Sequence, residues 1–159
     1  MIWSTVWRLE ARLKVVTPFT VYAASAEELQ GLGMSLRKAE YIKDFASKIV
    51  GGEFDLQAVE HMSDAEAITA LSSLKGIGKW TAEMILLFCL QRPDILSYDD
   101  LAIQRGLRML YYHRKITREL FNKYQKRYSP YGSTAAIYLW AIAGGAIEGM
   151  KDYAPAKKR

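Results

Sequence analysis

The stretch Leu74-Lys75-Gly76-Ile77-Gly78-Lys79-Trp80-Thr81-Ala82 most narrows the folds open to this chain. It separates two apolar-periodic segments, 63–73 and 80–91. Two glycines around one apolar residue let the backbone reverse tightly, because glycine tolerates positive φ. Their missing side chains also leave backbone N–H groups open where the second helix begins, and such a terminus favours an anion. The spacing therefore predicts a helix, a tight hairpin and a second helix across about 63–91. A phosphate group fits the hairpin best, held by Gly76, Ile77, Gly78, Lys79 and Thr81 with Lys75 beside them.

The rest of the chain reads as helix too, since strand-like alternation is absent and Gly and Pro fall between helical stretches. Residues 1–13 carry Trp3, Val6, Trp7, Leu9 and Leu13 as a rough stripe. Ser25 with Glu28 and Ser63 with Glu66 have capping-box spacing. Ser35 opens a longer helix with Ala39, Ile42, Ala46 and Ile49 at core spacing, and Asp55 caps a short piece reaching His61. The helix over 80–91 is apolar nearly all round and should run through the core. Asp99 is placed to cap the next helix, Thr117 the one after, and Ser133 the last. The tail 151–159, ending Lys157-Lys158-Arg159, should be frayed. No internal repeat or linker interrupts the pattern, so the expectation is one all-α domain over 1–159.

The 159 residues, 50% hydrophobic and 25% charged, suffice for a core of their own. A formal charge of +5 suits a polyanionic partner. Cys89 is the sole cysteine, which rules out an internal disulfide and a cysteine-ligated cluster. Among apolar neighbours it reads as a small buried hydrophobe in a reducing compartment. No apolar run approaches a membrane span, so a cytoplasmic protein without a membrane partner is expected. His61 and His113 lack metal-ligand spacing, and no metal held by side chains is expected. The Arg37-Lys38 charges and those between Arg118 and Arg127 read as solvated helix faces.

In combination these motifs resemble the DNA-3-methyladenine glycosylase II family, of the helix-hairpin-helix superfamily of base-excision glycosylases. The residues that carry the resemblance are the run Leu32–Glu40, the Leu74–Ala82 hairpin, Asp99-Asp100 followed by Leu101 and Ile103, and Pro130-Tyr131-Gly132-Ser133 leading to Tyr138-Leu139-Trp140. Lys75 stands where the family often has Pro, and Gly132 where Arg is common. The family implies that Asp100 is the catalytic carboxylate and that Trp80, Met84 and Trp140 line a pocket for an extruded base. It implies hydrolysis of the N-glycosidic bond of alkylated purines in double-stranded DNA, leaving an abasic site.

A carboxylate stabilises the oxocarbenium-like sugar of such a reaction, and an alkylated purine is already cationic, so one carboxylate suffices. Aromatic faces suit a cationic base, at about 0.5–2 kcal/mol of cation–π attraction. Strand-cleaving relatives place a nucleophilic lysine where this chain has Trp80, and Lys79 comes one residue early, about 100° around a helix. The expectation is a glycosylase without lyase activity, without an iron–sulfur cluster, and with a monovalent cation possible at the hairpin backbone. The resemblance also implies N-terminal truncation, with the family's paired glutamines and wedge loop preceding this chain's first residue. Three other readings stay open: a non-catalytic helix-hairpin-helix DNA-binding module, an inactive truncated fragment, or a helical domain whose aspartates only cap and whose tryptophans only pack.

Overall fold

The computed structural model describes residues 2–155, with side chains from residue 5 onward. All regular structure among the described residues is helical. Trp3's side chain and Lys157-Lys158-Arg159 lie outside the described residues. The chain divides into two compact units, Met1–Gly78 and Lys79–Arg159.

The first unit holds α1 (Ile2–Leu13), α2 (Pro18–Ala23), α3 (Ala26–Gly31), α4 (Leu36–Val50), α5 (Leu56–His61) and α6 (Asp64–Ser72). Both expected capping boxes form, Ser25 with Glu28 and Ser63 with Glu66. Ser35 and Asp55 cap α4 and α5 as their positions imply. Helix α2 was not expected, yet Thr17 and Thr20 build a third capping box around Pro18 at the first helical position. Its short length leaves no periodicity to read. Helices α2 and α3 pack on α4, burying Val21, Ala24, Leu29, Ala39 and Ala46, with Leu9 and Leu13 of α1 against them. Ile42, expected in this core, is exposed, as are Val6 and Trp7.

The second unit holds α7 (Lys79–Phe88), α8 (Leu101–Tyr111), α9 (Arg118–Tyr128) and α10 (Gly132–Ala143). Helix α8 packs on α10 with its Ile103, Leu107 and Met109 buried. Gly106 lets the two backbones meet, because a Cβ there would come 2.4 Å from the Leu139 carbonyl oxygen. Helix α7 stops at Phe88, short of the expected 91. Cys89 falls beyond it and is exposed, so the expectation of a buried thiol fails. The helix is also less uniformly buried than its composition suggests. It buries Ala82, Glu83, Leu86 and Leu87 but exposes Trp80 and Phe88.

Two further expectations change. Ser133 does not cap α10; its hydroxyl donates to the Arg92 carbonyl and accepts from the Ile95 N–H. Asp94 holds the α10 N-terminus from outside, accepting the Gly132 N–H at 3.0 Å and the Ser129 hydroxyl at 2.6 Å. Gly132 has no room for a side chain, since a Cβ would lie 2.7 Å from Asp94 Oδ1. The expected frayed tail is anchored at its start. Asp152 accepts two 2.7 Å hydrogen bonds from the Arg108 guanidinium, and Tyr153 packs edge-on against Tyr112.

Candidate active site

The hairpin's first half ends the first unit. Gly76 has φ +84°, and the Tyr41 ring lies where a Cβ would stand, 2.1 Å from it. Only glycine meets both conditions. Ile77 closes the turn, its N–H donating to the Leu74 carbonyl at 3.1 Å. Lys75 sits over the same Tyr41 ring, its ammonium 5.9 Å from the centroid. Gly78 differs from the expectation for paired glycines. It needs no positive φ, and open space surrounds the place of its missing Cβ. The turn itself therefore does not require glycine at this position.

Lys79, Trp80 and Thr81 form the first turn of α7 in the second unit. The Lys79 ammonium lies 3.9 Å from Glu83 one turn on, with its side chain largely exposed. Trp80 does more than present a ring. Its indole Nε1–H donates to Asp100 Oδ2 at 2.9 Å. Asp100 Oδ1 accepts the backbone N–H groups of Ala102 at 2.8 Å and Ile103 at 2.9 Å. The N-cap of α8 is therefore Asp100, not Asp99 as the pattern suggested, and Asp99 is exposed. The buried carboxylate thus takes donors on both oxygens, and the cap and the candidate catalytic group are one residue.

Trp80, Met84 and Phe88 recur every four residues along α7, so they share one face. Trp80 is 47% exposed and Phe88 59%, with Met84 half-buried between them. Trp140 of α10 stacks on Phe88, ring centroids 5.6 Å apart and planes 12° off parallel. Trp140 therefore joins the stripe at Phe88, which lies about 12 Å along the α7 axis from Trp80. Phe88 escaped sequence reasoning although its spacing from Met84 was the available signal.

Glu83 escaped as well. It is the one acidic residue in an apolar helix, and that contrast was its signal. Its side chain is buried and accepts the hydroxyl of fully buried Ser97, in the loop leading to Asp100. Burial pushes the Glu83 carboxyl above its ordinary range, while the Ser97 hydroxyl and Lys79 pull it back. Two supposedly solvated cations are engaged: the Arg118 guanidinium lies 3.6 Å from the centre of the Tyr98 ring, and Arg127 lies 5.8 Å from that of Tyr111. His113 is hydrogen-bonded to the Tyr124 hydroxyl at 2.7 Å, and His61 is exposed. Among the described residues no cluster of three metal-ligating side chains occurs, and no helix is long and apolar enough to cross a membrane.

The chain is 35% identical over 126 residues to DNA-3-methyladenine glycosylase 1 of Schizosaccharomyces pombe, covering 78% of this chain and 55% of that protein. It is 32% identical over 124 residues to a putative DNA-3-methyladenine glycosylase of Bacillus subtilis, covering 77% and 43%. It thus spans about half the length of the curated relatives it matches. In three dimensions it resembles a DNA-3-methyladenine glycosidase from Bacillus halodurans, with a TM-score of 0.79 and 34% identity over 92% of this chain and 69% of that one. It also resembles the Schizosaccharomyces pombe 3-methyladenine DNA glycosylase in complex with abasic DNA, with a TM-score of 0.76 and 28% identity over 93% and 73%. The family model for the HhH-GPD superfamily of base excision DNA repair proteins matches residues 1–130, which take in the hairpin, Trp80 and the Asp100 cap, and the chain belongs to that family.

Proposed function

We propose that this chain is a monofunctional DNA glycosylase that removes alkylated purines of the 3-methyladenine type from double-stranded DNA by hydrolysis. The observation that carries the reading is the Asp100 carboxylate, held by two α8 amides and the Trp80 indole beside a face of exposed aromatics. A fixed negative charge stabilises the sugar cation as the glycosidic bond breaks, and fixed donors spare the reorganisation that water would need. A cationic base is a good leaving group, so no second carboxyl acid is required for it. The stripe of Trp80, Met84 and Phe88, with Trp140 stacked on it, offers π faces and a soft thioether to that base.

In this reading the sequence run 75–81, with Lys75, Gly76, Ile77, Gly78, Lys79 and Thr81, is the segment that holds a backbone phosphate. A monovalent cation at the same backbone is part of this reading. The whole of 1–159 serves as one glycosylase domain in this reading. Lyase chemistry has no support here. A Schiff base needs a free amine, Trp80 offers none, and the Lys79 ammonium faces Glu83.

The test uses the 159-residue chain and duplex DNA carrying methylated adenine, analysed with and without alkali. Strand breaks that appear only after alkali are the expected result. Nicking before alkali, with enzyme trapped on DNA by borohydride, would refute the monofunctional mechanism. Tight duplex binding without base release would leave a DNA clamp instead.

A further inference from the structure

We infer that Glu83 is a positioning residue that, through Ser97, sets the Asp100 carboxylate against the Trp80 indole. Glu83 and Trp80 are one turn apart on α7, so both ends of this link rest on the same rigid helix. From Trp80 the path runs by one 2.9 Å hydrogen bond to Asp100. From Glu83 it runs to the Ser97 hydroxyl, three residues before Asp100. The loop that carries the aspartate is thus tied to the helix that carries its aromatic partner at two points, one buried and one at the half-exposed Trp80 ring. Burying a carboxylate is costly unless it is paired and hydrogen-bonded. Here a carboxylate is buried on an otherwise apolar helix, and its hydroxyl partner lies in the loop that ends at Asp100.

The groups facing Glu83 fit a positioning role better than a reacting one. The Ser97 hydroxyl and the Lys79 ammonium bracket its two oxygens, with Asp99 and Arg118 contributing charge from the loop and from α9. Its side chain is buried, so it does not touch DNA. The rest of the loop is fastened independently. Asp94 holds Ser129 and Gly132, Gln104 donates to the Tyr98 carbonyl at 2.7 Å, and Arg118 covers the Tyr98 ring. Loss of the Glu83–Ser97 bond therefore loosens the segment next to Asp100 without releasing the whole loop.

That this placement serves base excision rests on the proposed glycosylase activity, so the test has a readout that does not need it. In the full 159-residue chain, the indole N–H resonance of Trp80, identified by its loss in Trp80→Phe, reports the bond to Asp100. Ser97→Ala removes only a hydroxyl from a buried site. Glu83→Met removes the acceptor while keeping an apolar side chain of similar length, and Glu83→Gln keeps an acceptor oxygen. The expected result is that Ser97→Ala and Glu83→Met move this resonance towards that of a free indole and speed its exchange with D2O by about tenfold, the scale of one weakened charge-assisted bond. Glu83→Gln restores most of the wild-type signal. In Ser97→Ala, single-turnover excision falls with the resonance shift while affinity for undamaged duplex stays within about twofold, a split that general destabilisation does not produce. A resonance and exchange rate unchanged in Ser97→Ala would overturn the inference, and this variant decides the question if Glu83→Met does not fold. A shifted resonance in a chain that excises nothing would leave the positioning link standing and remove the glycosylase reading.

Discussion

Asp100→Asn separates the two duties of the carboxylate. Asparagine is nearly as good an N-cap as aspartate, so the α8 terminus alone loses only a few tenths of a kcal/mol. Asp100, however, accepts on both oxygens, with Ala102 and Ile103 on Oδ1 and Trp80 on Oδ2. An asparagine has one acceptor and one donor. If its oxygen keeps the cap, its NH2 group opposes the indole N–H; if it flips, it opposes both backbone amides. One side is left unsatisfied either way, the part-buried indole or the more buried amides, at about 1–3 kcal/mol with the indole at the low end. For a chain of this size that lowers Tm by roughly 2–12 °C. Base release should fall at least ~10²-fold, because the negative charge is gone. Asp99→Asn is the control, since Asp99 is exposed and caps nothing; it should stay within about 0.5 kcal/mol. Thermal melts and single-turnover excision on methylated duplex measure both quantities. An Asp100→Asn protein that melts with the wild type and excises within threefold of it would refute the reasoning, as would a larger stability loss at Asp99.

Three more outcomes follow from the geometry. Gly106→Ala gains about 1 kcal/mol of helix propensity but drives a Cβ to 2.4 Å from the Leu139 carbonyl; urea unfolding should show a net loss of about 1–3 kcal/mol, and a gain would mean that α8 and α10 part easily. At the hairpin, Gly76→Ala meets both positive φ and the Tyr41 ring and should cost at least about 1–2 kcal/mol, whereas Gly78→Ala should fold normally yet weaken duplex binding. Equal stability of the two variants would contradict the unequal roles. The Arg108 guanidinium beside Asp152 holds its carboxyl below the ordinary value, so the pair contributes above the unfolded value, near 3.8, and the contribution is lost as pH falls through the lower folded value. Asp152→Asn should therefore cost about 1–2 kcal/mol at neutral pH and progressively less below about pH 4; a gap that persists at pH 2 would argue against an ionic origin.

Helix starts were legible wherever the cap is local. Ser25, Ser35, Asp55, Ser63 and Thr117 each cap within three residues, and each was placed from its own neighbourhood. Thr17-Pro18 was equally local, but a helix of six residues shows no stripe to draw attention to it. The register at Asp99-Asp100 was not legible, because either aspartate satisfies the local pattern; the structure gives the Ala102 and Ile103 amides to Asp100. Asp100 was reached through the family resemblance, whereas its bond to Trp80 spans twenty residues and leaves no periodic trace. Cys89 was misjudged because its apolar neighbours implied more helix than forms, and α7 ends one residue before it.

The start of α10 leans on a carboxylate from another part of the chain. Tyr131 makes no capping bond, and Asp94 supplies the acceptor across 38 residues. A helix that carries its own cap can fray and re-form alone, whereas one whose cap is borrowed depends on the segment that lends it. The first turn of α10 and the loop around Asp94 should therefore open together as one cooperative element. Trp140 sits two turns further along that helix. Slow hydrogen exchange would show the first amides of α10 and those around Asp94 with matching opening energies, so that the order of the aromatic wall depends on a bond remote from any base it would hold.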